Sequence, residues 1–510
     1  MSVRSRRLVL LLGLGLVVVA VGLAGGLASS GDAWAAPVRW LAPVTLGSGA
    51  SPVLTFSPSG AAAVAFSSGV GGLIELVRRP SGGQFSPPVS LAQSGVAQQV
   101  VLTAAGDIAL TYSDGPGSIG SGVSSVVTRP GASGFSAPQM LAPAGNNPPS
   151  VALAATTVGA AIASINDSSG EFGVASLAAG GATFSPERVF ANSVSNVEFV
   201  APLVATDGGG GAFLAYPAVS RARCANSGLG FRGVTSAVGV AYRSASGRLS
   251  LATPIDCYDW PSSEIGNVQL AATGRGRVMV ADVYAAGPSG VPATRKQVVV
   301  HFGVGGRFGK PVTIASYRRG ILLLSGPPVF DSTGAPTLAW YTCRNTETGP
   351  CTVAGIVGTP RGRLPAAQTL RTRGHFAYAV TGVRSIALED CPGPLFPTPS
   401  CPIEVSSADK SGRFQKPVPL AADGSIEAFV HDARGDQLLV WGVLGRTAAR
   451  IYASAQVAGS VRFSAPRIVS SGPVDPSSVT AQLGPRGEGI IAWKTTSGIV
   501  TADVVKMGTR

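Results

Sequence analysis

Histidine is almost missing from this chain: His301, His375 and His431 are the only three in 510 residues, and they stand far apart with no metal-ligand spacing. They are read as surface or strand residues, and neither a metal nor a cofactor is expected. No H-E-x-x-H, G-x-S-x-G or phosphate-loop pattern occurs. Charged residues make up 13% and aromatics 6%. The net charge of +13 is scattered, with no run of five Lys or Arg. A nucleic-acid partner is excluded for want of a binding module. After the first 35 residues no 12-residue stretch keeps a helical apolar period free of Gly or Pro, and no apolar run reaches 18 residues. Long helices and later membrane spans are therefore not expected.

What is present begins at the N-terminus. Arg4, Arg6 and Arg7 precede an apolar run, Leu8 to Ala28, and Ala33-Trp34-Ala35 follows. These are the three regions of a secretory signal, with cleavage expected after Ala35. The same run is long enough for an uncleaved anchor, which would make residues 8–28 the one membrane contact. Both outcomes place the remainder, 36–510, outside the cytoplasm. Its 36 basic and 25 acidic residues leave a basic surface, read as either generic solubility or a patch for anionic envelope material.

With 68 Gly and 38 Pro, turns must be frequent. They recur with a period. Counting six positions on from a glycine, Gly60 leads to Phe66, Gly106 to Tyr112, Gly210 to Tyr216, Gly334 to Trp340, Gly435 to Trp441 and Gly487 to Trp493. Three more hairpins align but end differently: Gly159 to Ile165, Gly276 to Asp282 and Gly382 to Leu388. Between them runs a second pattern, aromatic-x-x-Pro-x-x-aliphatic, as in Trp40-Pro43-Leu46 and Phe414-Pro417-Leu420, with starts 45 to 67 residues apart. A repeat near 50 residues made only of strand signals predicts an all-β propeller. Each of nine sequence repeats reads as a four-stranded blade. The Phe-x-x-Pro strand is outermost, because proline cannot donate to a central ladder. The chain starts on an outer-type strand and ends on three inner-type ones, so the N-terminal strand is expected to close the ring in the last blade.

Residues 54–66, "LTFSPSGAAAVAF", resemble the TolB-type, WD-like propeller repeat, with Ser59 where that pattern carries Asp. The resemblance covers these 13 residues as a motif and the exported region as architecture. It implies a binding scaffold and transfers no catalytic residue.

Six cysteines in an exported chain should pair, and six allow 15 connectivities. Register favours Cys343–Cys351 and Cys391–Cys401, each closing one loop between second and third strands. Cys224 and Cys257 fall on connections that leave the same face, which makes them the third pair. That face also carries the long loops, and binding residues favour loops on a rigid scaffold. The candidate ligand-binding residues are Arg221, Arg223, Tyr258, Asp259, Trp260, Arg318, Arg319 and Arg344, with simple shielding of the blades as the rival reading.

No catalytic residue is assigned. Asp282, standing where six units carry an aromatic, is read as a strand-end residue in solvent rather than a charge near the central channel. "GRGR" at 274–277, "GPRGEG" at 484–489 and "NDSSGE" at 166–171 are read as turns. The expected function is an exported, monomeric, non-enzymatic propeller binding a protein or glycan at the cell envelope. The alternative is a sialidase-like or lyase-like enzyme acting on extracellular polysaccharide, which two or more carboxylates gathered with a tyrosine at the channel mouth would favour.

Overall fold

The computed structural model describes residues 38–508, apart from 70–71, 115–120, 133, 146–148, 168–171, 191–202, 221–234, 251–252, 260–264, 275, 287–294, 319, 345–350, 375, 392–400, 446–448, 461 and 471. Among the described residues there is no helix. The strands form eight antiparallel sheets: five of four strands, two of five and one of nine. Each is a sequential meander, and they are named here by residue range: 50–94, 96–142, 150–190, 203–259, 265–317, 321–374 and 376–421. The nine-stranded sheet holds two meanders, 425–468 and 474–506, joined by the single pairing of Ala449 with Val474. Four-stranded meanders packed face to face make the molecule a β-propeller.

The hairpins explain the glycine repeat. The N–H groups of Ser57, Thr103, Thr156, Asp207, Thr273, Asp331 and Asp432 each donate to the carbonyl four residues on. Closing so short a loop needs a left-handed residue at the fourth position, as at Gly435 with φ +93°, where a side chain would be strained. The polar residue that starts the turn accepts from its backbone: Asp432 Oδ1 takes the N–H groups of Arg434 and Asp436 at 2.9 and 3.0 Å.

The six terminal aromatics are all buried. Each belongs to a second strand and packs back on the preceding meander. Trp441 lies on Ile403 and Val405, Trp493 on Val440 and Ile451, Trp340 on Met279 and Val298, and Tyr112 on Ile74 and Leu76. Tyr216 stacks on Phe172 with ring centroids 5.2 Å apart. Phe66 packs on Ile490 and Ala492 of the 474–506 meander. The small residues around them (Ala63 and Ala65, Ala161 and Ala163) let successive sheets approach.

The proline strands lie at the outer edges of their sheets. Val44–Ser48 and Arg39–Trp40 pair with Ile499–Lys506, so the described chain's two ends share one meander. A buried ion pair ties that meander to the 50–94 sheet: Arg79 Nη1 to Glu488 Oε2 at 2.7 Å, with Lys506 Nζ 3.1 Å from Oε1.

One reading needs correction. Asp282 is not a strand-end residue in solvent; it is completely buried within the strand Arg277–Ala286. His301, on the adjacent strand, is equally buried, its Nε2 3.8 Å from Asp282 Oδ1. Asp282 keeps the inward direction of the aromatics it replaces.

Candidate functional site

The connections leave the sheets in two sets. Turns between first and second and between third and fourth strands emerge at one end, here the tight-turn face. Second-to-third loops and the links between sheets emerge at the other, the long-loop face.

On the long-loop face two disulfides stand as expected. Cys343–Cys351 and Cys391–Cys401 join residues 8 and 10 apart, with Cα separations of 4.1 and 4.4 Å. Each links the end of a second strand to the start of the third or the residues before it. Arg318 is exposed just past the strand Val312–Tyr317, and Arg344 is exposed just past Cys343. Their segments meet: a Cβ at Gly320 would lie 2.1 Å from the Cys343 carbonyl oxygen and 2.8 Å from that of Arg344. Tyr258 and Asp259 end the strand Thr253–Asp259, pairing with Ser236 and Thr235. Arg221, Arg223, Trp260, Arg319 and Cys224 lie outside the described residues, as does His375, and Cys257 is described only as a strand position.

Sequence reasoning missed three acids at this same end. Glu389 stands two residues before Cys391 and is buried. Its Oε1 accepts the Ile426 N–H of the next meander, with Ser425 Oγ 3.5 Å away. Glu427 occupies a bulge, since Ile426 pairs with Trp441 and Ala428 with Val440. Asp475, from the 474–506 meander, forms an ion pair with Lys494 at 3.8 Å. Burial pushes the Glu389 carboxyl up to about 7, against the hydrogen bonds from Ile426 and Ser425. Burial likewise raises Glu427 to about 7, helped by the charges of Glu389 and Asp475. Three consecutive meanders thus bring carboxylates together, two of them poised near neutrality. The only local signal was the "LEDC" run, an acid pair directly before a paired cysteine.

The tight-turn face, where no site was expected, carries cavities. One of about 760 Å³ is walled by first-strand residues of several sheets, among them Val204, Leu270, Val329 and His431, with Asp331 and Asp432 at the turns. Burial holds His431 near 4, so it is neutral at physiological pH. A second cavity, about 710 Å³, lies among the turns of the 321–374, 376–421 and 425–468 meanders. Both of its lining arginines are paired: Arg384 with Asp331 at 3.3 Å and Arg434 with Asp432 at 3.0 Å. Burial pushes the Asp331 carboxyl up, but hydrogen bonds from Thr333, Ala335 and Arg384 outweigh it and leave it below its usual range. Arg384, at φ +49°, holds a conformation that non-glycine residues seldom adopt.

No protein-family model matches this sequence. No curated protein matches it either. Among solved structures the chain is similar to the WD40 domain of SCAP from fission yeast, at 9% identity over 93% of this chain and 98% of that one, with a TM-score of 0.46. It is also similar to the BP39L lectin of Burkholderia pseudomallei (14% identity, 74% and 100% covered, TM-score 0.34). A third likeness is to a PL25 ulvan lyase (10% identity, 75% and 98% covered, TM-score 0.37). At such scores these likenesses assign neither family nor activity.

Proposed function

We propose that the protein is an extracytoplasmic binding propeller whose long-loop face takes a protein or glycan of the cell envelope. In this reading residues 1–35 are its export signal, and residues 36–510 are one monomeric domain. The ring has nine blades and is closed by the N-terminal strand. Closure is supported by the pairing of Val44–Ser48 with Ile499–Lys506 and by the packing of Phe66 on Ile490. A TolB-type ancestry accords with residues 54–66, and Cys224 with Cys257 supplies a third disulfide.

The observation that carries the reading is the long-loop face itself. Two neighbouring sheets each carry a disulfide-closed connection, exposed Arg344 belongs to the first of them with exposed Arg318 close by, and buried strands fix the base of both. Rigid loops lose little entropy on binding. In this reading Arg221, Arg223, Tyr258, Asp259, Trp260 and Arg319 remain candidate ligand-binding residues on sequence grounds alone. The test is retention of the purified exported protein on anionic envelope polysaccharide. An Arg318→Ala/Arg319→Ala/Arg344→Ala variant should lose most of it at low salt; unchanged retention refutes the assignment.

The carboxylates favour a second reading. Glu389 and Glu427, both near neutrality, have the protonation behaviour of an acid and base acting on polysaccharide. New reducing ends or unsaturated uronate from incubated glycans, abolished by Glu427→Gln, would establish it over simple binding.

A further inference from the structure

A third cavity on the tight-turn face, about 440 Å³, lies between the 265–317 and 321–374 sheets, away from the long loops. Its walls are apolar: Val278, Phe302, Val304, Phe330 and Pro360. Three arginines line it, Arg277, Arg307 and Arg361, and among the described residues no acidic one does. Arg307 and Arg361 are exposed, and Val304 shows 59% of its surface to solvent. Arg277 is already oriented, because its Nη1 donates to the Pro360 carbonyl across the sheet boundary. That bond uses one of the five donors a guanidinium offers.

The contrast with the adjoining basin is what points to a ligand. There, Arg384 and Arg434 are neutralised by aspartates of their own or neighbouring turns. Here the nearest aspartate in sequence, Asp331, is engaged by Thr333, Ala335 and Arg384. Like charges gathered over apolar walls without a counter-ion create a positive potential focused on a concave site. Glycines keep it open: a Cβ at Gly362 would stand 3.6 Å from the Phe302 ring, and one at Gly334 would stand 3.2 Å from Arg277 Nη1. The volume suits a small molecule rather than a polymer.

We propose that this cavity binds a small amphipathic anion, its apolar body between Phe302 and Phe330 and its carboxylate or sulfonate held by Arg277, Arg307 and Arg361. Guanidinium groups match such planar or branched oxyanions with paired N–H donors. The site is separate from the long-loop surface and stands whether or not that surface binds an envelope ligand.

The test uses two fluorescent probes on the folded, full exported chain. Anilinonaphthalene sulfonate carries the anion, and N-phenyl-1-naphthylamine is its uncharged counterpart. Wild type should bind the sulfonate saturably, and more weakly at high salt. The Arg307→Gln/Arg361→Gln variant, altered only at exposed positions, should melt like wild type. It should lose about tenfold or more in sulfonate affinity, the scale of a charged hydrogen bond, and retain the amine. Val304→Glu, which places a negative charge at the rim to repel the sulfonate, should behave the same way. Unchanged sulfonate affinity in either folded variant overturns the proposal, as does equal loss of both probes or the absence of saturable sulfonate binding by wild type.

Discussion

The two ends of the strand Ser425–His431 titrate in opposite directions, and they represent the two faces of the molecule. At the long-loop end, Glu427 and its neighbour Glu389 are pushed up to about 7 by burial among residues from three meanders. At the tight-turn end, burial drives His431 down to about 4, and the aspartates beside it find their partners within a few residues. The Asp432–Arg434 pair is settled inside one turn, although Arg384–Asp331 and Arg243–Glu187 at the same end join two meanders. The upward shifts of Glu389 and Glu427 arise only where separate sheets pack. A turn-local pair survives small shifts between sheets, whereas this carboxylate group depends on them.

The largest effect on this contrast is expected at the Arg79–Glu488 pair, which lies at the tight-turn end and joins two meanders. Burial raises the Glu488 carboxyl, and hydrogen bonds from Arg79 and Lys506 more than compensate, holding it below its usual range. Glu488→Ala leaves the Arg79 guanidinium buried without its partner. Urea denaturation should show a loss of about 3–5 kcal/mol, against less than about 0.5 kcal/mol for a control at exposed Arg486.

Next come the disulfides. Replacing Cys343 and Cys351 together by Ser should cost about 2–3 kcal/mol by releasing the unfolded chain, and the same holds for Cys391 and Cys401. Only the second pair adjoins Glu389, with its sulfurs within 4.8 Å of the carboxylate oxygen. Opening it should therefore also lower the Glu389 pKa, measurable by carboxyl NMR titration; equal titration in both variants would disconnect the loops from the acids.

The pH dependence sharpens the comparison at smaller cost. Between about pH 4.5 and 7 the folded state keeps protons on Glu389 and Glu427 that the unfolded chain has released, so stability falls as pH rises through that window. For Glu389 the full decline is on the order of 3 kcal/mol. His431 works the other way: between about 4 and 6.5 the unfolded chain binds the proton that the folded state refuses, so stability rises with pH. The two windows overlap with opposite sign, so Glu427→Gln should reduce the fall of melting temperature between about pH 4.5 and 7, and His431→Phe, which removes the opposing rise, should steepen it. An unchanged fall in Glu427→Gln, or a shallower one in His431→Phe, would refute the assignment of the two contributions.

How much of this was legible follows the same division. The glycine turns, the buried aromatics at the sixth position, the outer proline strands and the two short disulfides could be read directly, because each rests on contacts within one meander or on a repeat of one contact. Asp282 could not be placed, because its position follows the repeat while its chemistry does not; only the folded structure shows it buried beside His301 of the adjacent strand. Glu389, Glu427 and Asp475 carry no common motif and are separated by tens of residues. The triple arginine cavity was equally hidden: Arg277 lay in a turn read correctly as a turn, and its partners belong to two other turns.

The sequence by itself determined the strand pattern, its period and the order of strands within each meander, since turn geometry and the period-two alternation act over a few residues. Which charged groups meet was decided only by the tertiary structure. Radial packing sets strands from different meanders side by side, and burial and electrostatic neighbours depend on that placement rather than on distance along the chain.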